Sequence, residues 1–137
     1  MKALADTGFL VAFGNRRDYH HAWAVSVASC VTAPLLTCEA VLSEAAFHLE
    51  DAAYVLSLVD EGLVRVAFSL PEHEKEVARL AHRFADRQPD LADLCLIRMS
   101  ELHREYPVVT TDVRDFTVYR RNKRERIPLI TPENWPG

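Results

Sequence analysis

Four acids stand where a folded chain has no ordinary reason to put them: Asp6, Glu44, Asp93 and Asp112. Asp6 interrupts the apolar run MKALADTGFLVAF, and Asp112 closes VVTTD. At helical spacing Glu44 has Ala40, Val41, Phe47 and His48 as neighbours, and three of those are apolar. Asp93 sits in LADLCLI, with Leu96 and Ile97 on its face. A carboxylate on an apolar face is costly unless it is paired or binds a cation. Taken singly, three of them have a plainer reading. Asp6 and Asp112 fit turn residues or helix caps, and Asp93 fits a cap if its helix starts late. Asp90, one turn earlier, is explained as the cap at that helix start, and Glu39 and Glu50 fit ordinary exposed acids. Together the four point to an oxygen-only site for a hard cation such as Mg²⁺ or Mn²⁺. Cations would relieve the mutual repulsion, activate water and neutralise phosphate charge. Without metal the pocket would repel a polyanion and be inert.

Other chemistries fail on spacing. The chain has no GxxxxGK[ST] or GxGxxG loop, no HExxH, no CxxC and no nucleophile elbow. Asp6 after a first strand would suit an aspartyl-phosphate enzyme, but haloacid-type phosphatases carry a second Asp two places on, and here that place is Gly8. His20 and His21 are adjacent and point apart on a helix, which fits surface residues, with a substrate contact as the alternative. Cys30, Cys38 and Cys95 make an odd count at wide spacing among apolar neighbours. They read as buried thiols of a reducing compartment, not a disulfide framework or a zinc site. The net charge is −4, so nucleic-acid binding would need a local basic patch. Arg120 to Arg126 reads RRNKRER, which is either a solvated loop or a phosphate-contacting surface. The first residues make a poor secretory leader, and no stretch is apolar enough to span a bilayer. The expected location is the cytoplasm.

These residues need elements to position them. Across 137 residues, 49% of them hydrophobic, one domain with one core is expected over 1–137. The patterning predicts strands at Lys2–Ala5, Ala33–Leu36, Leu63–Phe68, Pro107–Thr111 and Pro128–Ile130. It predicts helices at Thr7–Phe13 and Ala22–Cys30, from a cap at Thr37 to about Asp51, and at Ala52–Glu61 before Gly62. Two more run from Pro71 to about Ala85 and from Asp90 to about Glu105. Alternating strands and helices predict an α/β domain with a parallel sheet, whose ligand site lies at the carboxyl ends of strands near a switch in strand order. Asp6 and Asp112 follow strands in that way.

Four segments in order, ADTGFLVA, LLTCEAVLSEAAFHL, PDLADLCLI and VVTTDVRDF, followed by the basic run, resemble the PIN domain family. Within it they are similar to VapC-type toxin ribonucleases, from Lys2 to about Ile130. The resemblance implies a three-layer α/β/α fold with a central parallel sheet. It implies that Asp6, Glu44, Asp93 and Asp112 are the catalytic, metal-binding acids, with Asp115 a further acid at or just outside the metal. Thr7 and Thr110 match hydroxyl positions near it. The implied activity is Mg²⁺- or Mn²⁺-dependent cleavage of RNA, with Arg114, Arg120, Arg121, Lys123 and Arg124 against the RNA backbone. A homodimer and a cognate antitoxin that occludes the acids are implied as partners. Gly8, where the family commonly has Ser, Leu94 beside Asp93, and Arg98 in an often apolar segment are departures that remove no acid. The rival expectations are a housekeeping PIN nuclease without an antitoxin and a PIN-like RNA- or protein-binding module without catalysis.

Overall fold

The apolar runs that read as strands pair in parallel. In the computed structural model, which describes residues 1–137, the chain order is β1 (Leu4–Ala5), α1 (Thr7–Gly14), α2 (His21–Ser29), β2 (Leu35–Thr37), α3 (Glu39–Leu49), α4 (Ala52–Asp60) and β3 (Val64–Val66). Then come α5 (Leu70–Arg83), a 3-10 turn (Ala85–Arg87), α6 (Leu91–Leu102), β4 (Val108–Val109), α7 (Val113–Phe116), β5 (Arg120–Arg121), β6 (Glu125–Arg126) and β7 (Leu129–Ile130). Five strands form the sheet in the order β3-β2-β1-β4-β7, every neighbouring pair parallel. Helices flank it in a three-layer α/β/α arrangement, as expected.

β1 lies at the centre, and Ala3, Leu4 and Ala5 are wholly buried. Covered parallel strands require such continuous apolar sequence. α6 is buried nearly all round, from Ala92 to Ile97, and it packs on β1, α3 and α5. The buried apolar side chains form one contiguous core. Removing a fully enclosed ring such as Phe9 from it would cost about 3–5 kcal/mol.

Several boundaries differ from expectation for local reasons. Thr37 does not cap α3. It ends β2, and its hydroxyl donates to the Ala5 carbonyl at 2.9 Å, so Cys38 takes the cap position without a side-chain bond. α3 stops at Leu49 because Glu50 turns left-handed (φ 54°), and Asp51 then caps α4 by accepting from the Tyr54 amide. Gly62 follows α4 at φ 88°, a conformation that suits glycine. The helix that opens at Asp90 ends at Leu102, short of Glu105. Cys38 and Cys95 are buried, but Cys30 is exposed at the end of α2, against expectation. RRNKRER, in which Lys123, Arg124 and Arg126 are exposed while Arg121 is buried, is not an irregular loop and is open to solvent only in part. It forms the antiparallel β5–β6 hairpin, its turn made by Asn122 and Lys123 at positive φ.

Candidate metal centre

The chain lays down β1, β2 and β3 in one direction, then returns to place β4 on the other side of β1. The strand order therefore reverses between β1 and β4, which opens a crevice at their carboxyl ends. Register Ala5↔Val109 puts the next residues, Asp6 and Thr110, side by side. The Thr110 hydroxyl donates to Asp6 Oδ2 at 2.6 Å and accepts from the Asp112 amide at 2.9 Å. The Thr7 amide donates to Asp6 Oδ1 at 2.7 Å. The Thr7 hydroxyl reaches across to α3 and donates to Glu44 Oε1 at 2.8 Å. The two threonines thus orient two of the acids.

Asp93 is buried in the first turn of α6 and accepts from the Tyr119 hydroxyl at 2.9 Å. Tyr119 is itself wholly buried, edge-on to Phe84 and Phe116. Asp90 caps α6 by accepting from the Asp93 amide at 2.8 Å. That leaves Asp93 with no capping duty, which removes its plainer explanation. Asp112 caps α7 through the Asp115 amide at 3.0 Å, so it is both a cap and a member of the cluster.

Asp6, Glu44, Asp93 and Asp112 all line one solvent-open cavity of about 490 Å³. No Lys or Arg lines it. Asp93, Asp112 and Asp115 each offer an oxygen within 4.8 Å of the others, a group that could hold a metal ion. The donors are all oxygen, which fits a hard cation and not a soft one. Asp115 is also paired with Arg87 at 2.7 Å, which places it at the edge of the group.

The electrostatics follow from crowding acids in a part-buried place. Burial lifts Asp6 to about 6 despite its two hydrogen bonds. Burial, then the charges of Asp90 and Asp6, lift Asp93 to about 8. Asp112 and Glu44 are raised as well, first by burial. Asp93 therefore keeps its proton near neutral pH, where a bound cation would displace it.

The structure adds residues that the pattern did not single out. Asp90 lines the cavity beside its capping role, and its carboxyl meets that of Glu44. The i, i+3 spacing of Asp90 and Asp93 was the available signal. His48 lines the wall one turn after Glu44, and its i+4 spacing placed it on the same face. His20 also lines the wall and is not merely a surface residue. Tyr119 carried no local signal. Gly8 has a steric reason: a Cβ there would collide with the Thr111 hydroxyl at the cavity wall.

The basic residues divide. Arg114 is exposed and lines a small cavity with Arg87, Asp86 and Asp115, beside the acids. Arg120 spends its guanidinium on the carbonyls of Thr117, Val118 and Tyr119. Arg121 is buried at 3% exposure and donates to the Ser100 carbonyl and to Glu125, so it cannot meet a phosphate in solvent. Lys123 and Arg124 are exposed at the hairpin turn, and Lys123 lines a groove with Arg79, Arg83 and Arg98 that shares no residue with the acidic cavity.

No family model matches this chain, and no curated protein does either.

Proposed function

We propose that this protein is a divalent-metal-dependent endoribonuclease of the PIN type. One observation carries the reading. Asp6, Glu44, Asp93 and Asp112 converge from separate segments on one open cavity at the strand-order reversal, with no cationic side chain among them. Crowded acids of raised proton affinity, with no Lys or Arg to pair them, are the arrangement a hard cation stabilises.

Mg²⁺ or Mn²⁺, when bound, supplies a Lewis acid that activates water and offsets phosphate charge. Asp93 and Asp112 hold it, with Asp115 at the edge and Arg87 steadying that carboxylate. Tyr119 fixes the rotamer of Asp93, while Thr7 and Thr110 fix Glu44 and Asp6. Such outer partners orient ligands and tune their basicity. The cavity's openness admits a phosphodiester of a longer strand, and Arg114 lies where it can meet a neighbouring phosphate. The choice of RNA, a cognate antitoxin over the acids, a homodimer and a cytoplasmic setting rest on the resemblance of the four sequence segments. No helix is long and apolar enough to cross a membrane.

The test is cleavage of single-stranded RNA by the purified protein in Mn²⁺, before and after EDTA. Asp93→Asn should lose on the order of 10²–10³-fold or more in rate while keeping its fold. A folded Asp93→Asn protein with full activity, or calorimetry with no Mn²⁺ uptake by the wild type, overturns the reading. Growth arrest on expression that requires Asp6 separates a toxin from a housekeeping nuclease.

A further inference from the structure

Two large aromatic side chains stand almost entirely in solvent: Tyr19, 93% exposed, and Phe47, 78% exposed. Isolated surface aromatics are ordinary. These two share an unusual relation to the acidic cavity. Tyr19 sits between Asp18 and His20, and both of those line the cavity. Phe47 precedes His48, which also lines it, and follows Glu44 by nearly one turn of α3. Each aromatic ring meets its histidine edge to face, with centroids 4.9 Å apart for Tyr19–His20 and 5.5 Å apart for Phe47–His48.

The loop that carries Tyr19 is held in place. Asp18 accepts from the His20 amide at 2.8 Å, and His21 Nδ1 bonds the Ala12 carbonyl at 2.8 Å. Arg16 and Arg17, both exposed, immediately precede it. Cations interleaved with exposed rings are what single-stranded nucleic acid binds: the cations follow the backbone, and each ring offers a face to a base. A duplex keeps its bases stacked on one another and could not use the rings.

We infer that Tyr19 and Phe47, each beside a histidine of the cavity wall, are stacking platforms for bases next to the phosphodiester seated in the acidic cavity, so that the substrate is an unpaired strand with splayed bases. This rests on the nuclease reading above. The rings position the strand, and they take no part in bond breaking.

The experiment uses a single-stranded RNA oligonucleotide with Mn²⁺. Tyr19→Ala and Phe47→Ala should each raise KM about 10-fold with kcat nearly unchanged, and Tyr19→Phe should restore the wild-type value. With Ca²⁺ in place of Mn²⁺, which fills an oxygen site and activates water poorly, fluorescence anisotropy with the same labelled strand should show a matching loss of affinity. The slope of log Kd against log salt should not move, because a neutral ring releases no counterion. The fully paired duplex should bind more weakly than the single strand. If wild type cleaves the strand and the alanine variants match it in KM and Kd, the stacking inference falls and the nuclease stands. If the alanine variants lose oligomeric state or melting temperature at unchanged affinity, the rings are packing surfaces and the inference falls. If wild type neither binds nor cleaves single-stranded RNA, both readings fall together.

Discussion

The acidic cavity and the β5–β6 hairpin each gather several ionisable side chains, and they treat them in opposite ways. In the hairpin the one acid has two cations. Glu125 receives Arg121 at 2.7 Å and Arg104 at 3.2 Å, and hydrogen bonding, chiefly from Arg121, holds it down to about 2. In the cavity the acids receive only neutral donors, namely two threonine hydroxyls, a tyrosine hydroxyl and backbone amides. Their proton affinities rise instead. One arrangement is complete within the chain. The other leaves its acids without a cation from the chain, a group that could take one from outside. A buried, paired charge therefore marks structure, and a cluster of unpaired ones marks a site.

The difference can be broken from either side. Arg121→Met removes the hairpin's buried cation and leaves the Ser100 carbonyl without its donor, so urea unfolding should show a loss of about 2–3 kcal/mol. Asp93→Asn, in metal-free buffer at pH 8, should leave stability unchanged or raise it, because it takes a costly charge out of the cavity. A destabilisation by Asp93→Asn equal to that of Arg121→Met would erase the distinction.

The next largest effect is in pH. Asp6 and Asp93 have folded-state proton affinities raised above the unfolded value of 3.8, to about 6 and about 8. Between those limits the folded chain binds more protons than the unfolded one, so stability falls as pH rises. The metal-free protein should lose roughly 5–10 °C of melting temperature from pH 5 to pH 8. Millimolar Mn²⁺ at pH 8 should restore it. A metal-free melting temperature that climbs over that range would mean that the acids are satisfied without a cation.

Tyr119→Phe sharpens the comparison at its smallest scale. It deletes one neutral donor to Asp93 and keeps the ring in its aromatic cage. Mn²⁺ affinity should drop about 10-fold while stability changes by about 1 kcal/mol. An unchanged titration with Mn²⁺ would reduce Tyr119 to packing.

The fold was readable because its signals are local. Apolar runs ending in Asp6 and VVTTD, Gly62 after a helical pattern and Pro71 at a helix start each act within a few residues of themselves. Glu44 and Asp93 stood out because helical periodicity set them among apolar neighbours. What escaped depends on contacts far apart in sequence. Tyr119 meets Asp93 across 26 positions, and Arg121 reaches Ser100 across 21. RRNKRER reads as uniformly solvated because charge alone does not say which guanidinium a fold will swallow. Asp90 was passed over because one sufficient role, the helix cap, concealed a second. Phe47 misled in the other direction: it counted as part of an apolar face around Glu44, yet it stands in solvent.

The order of strands in the sheet has a consequence for the chain as it is made. Its central strand is made before the other four, and its neighbour β4 follows about a hundred residues later. Asp6 and Asp112 face one another only then. A nascent or prematurely terminated chain, however well its first helices form, has half a pocket, with Asp6 and Glu44 but without Asp93 and Asp112. The pocket is whole only once β4 and the start of α7 have joined β1.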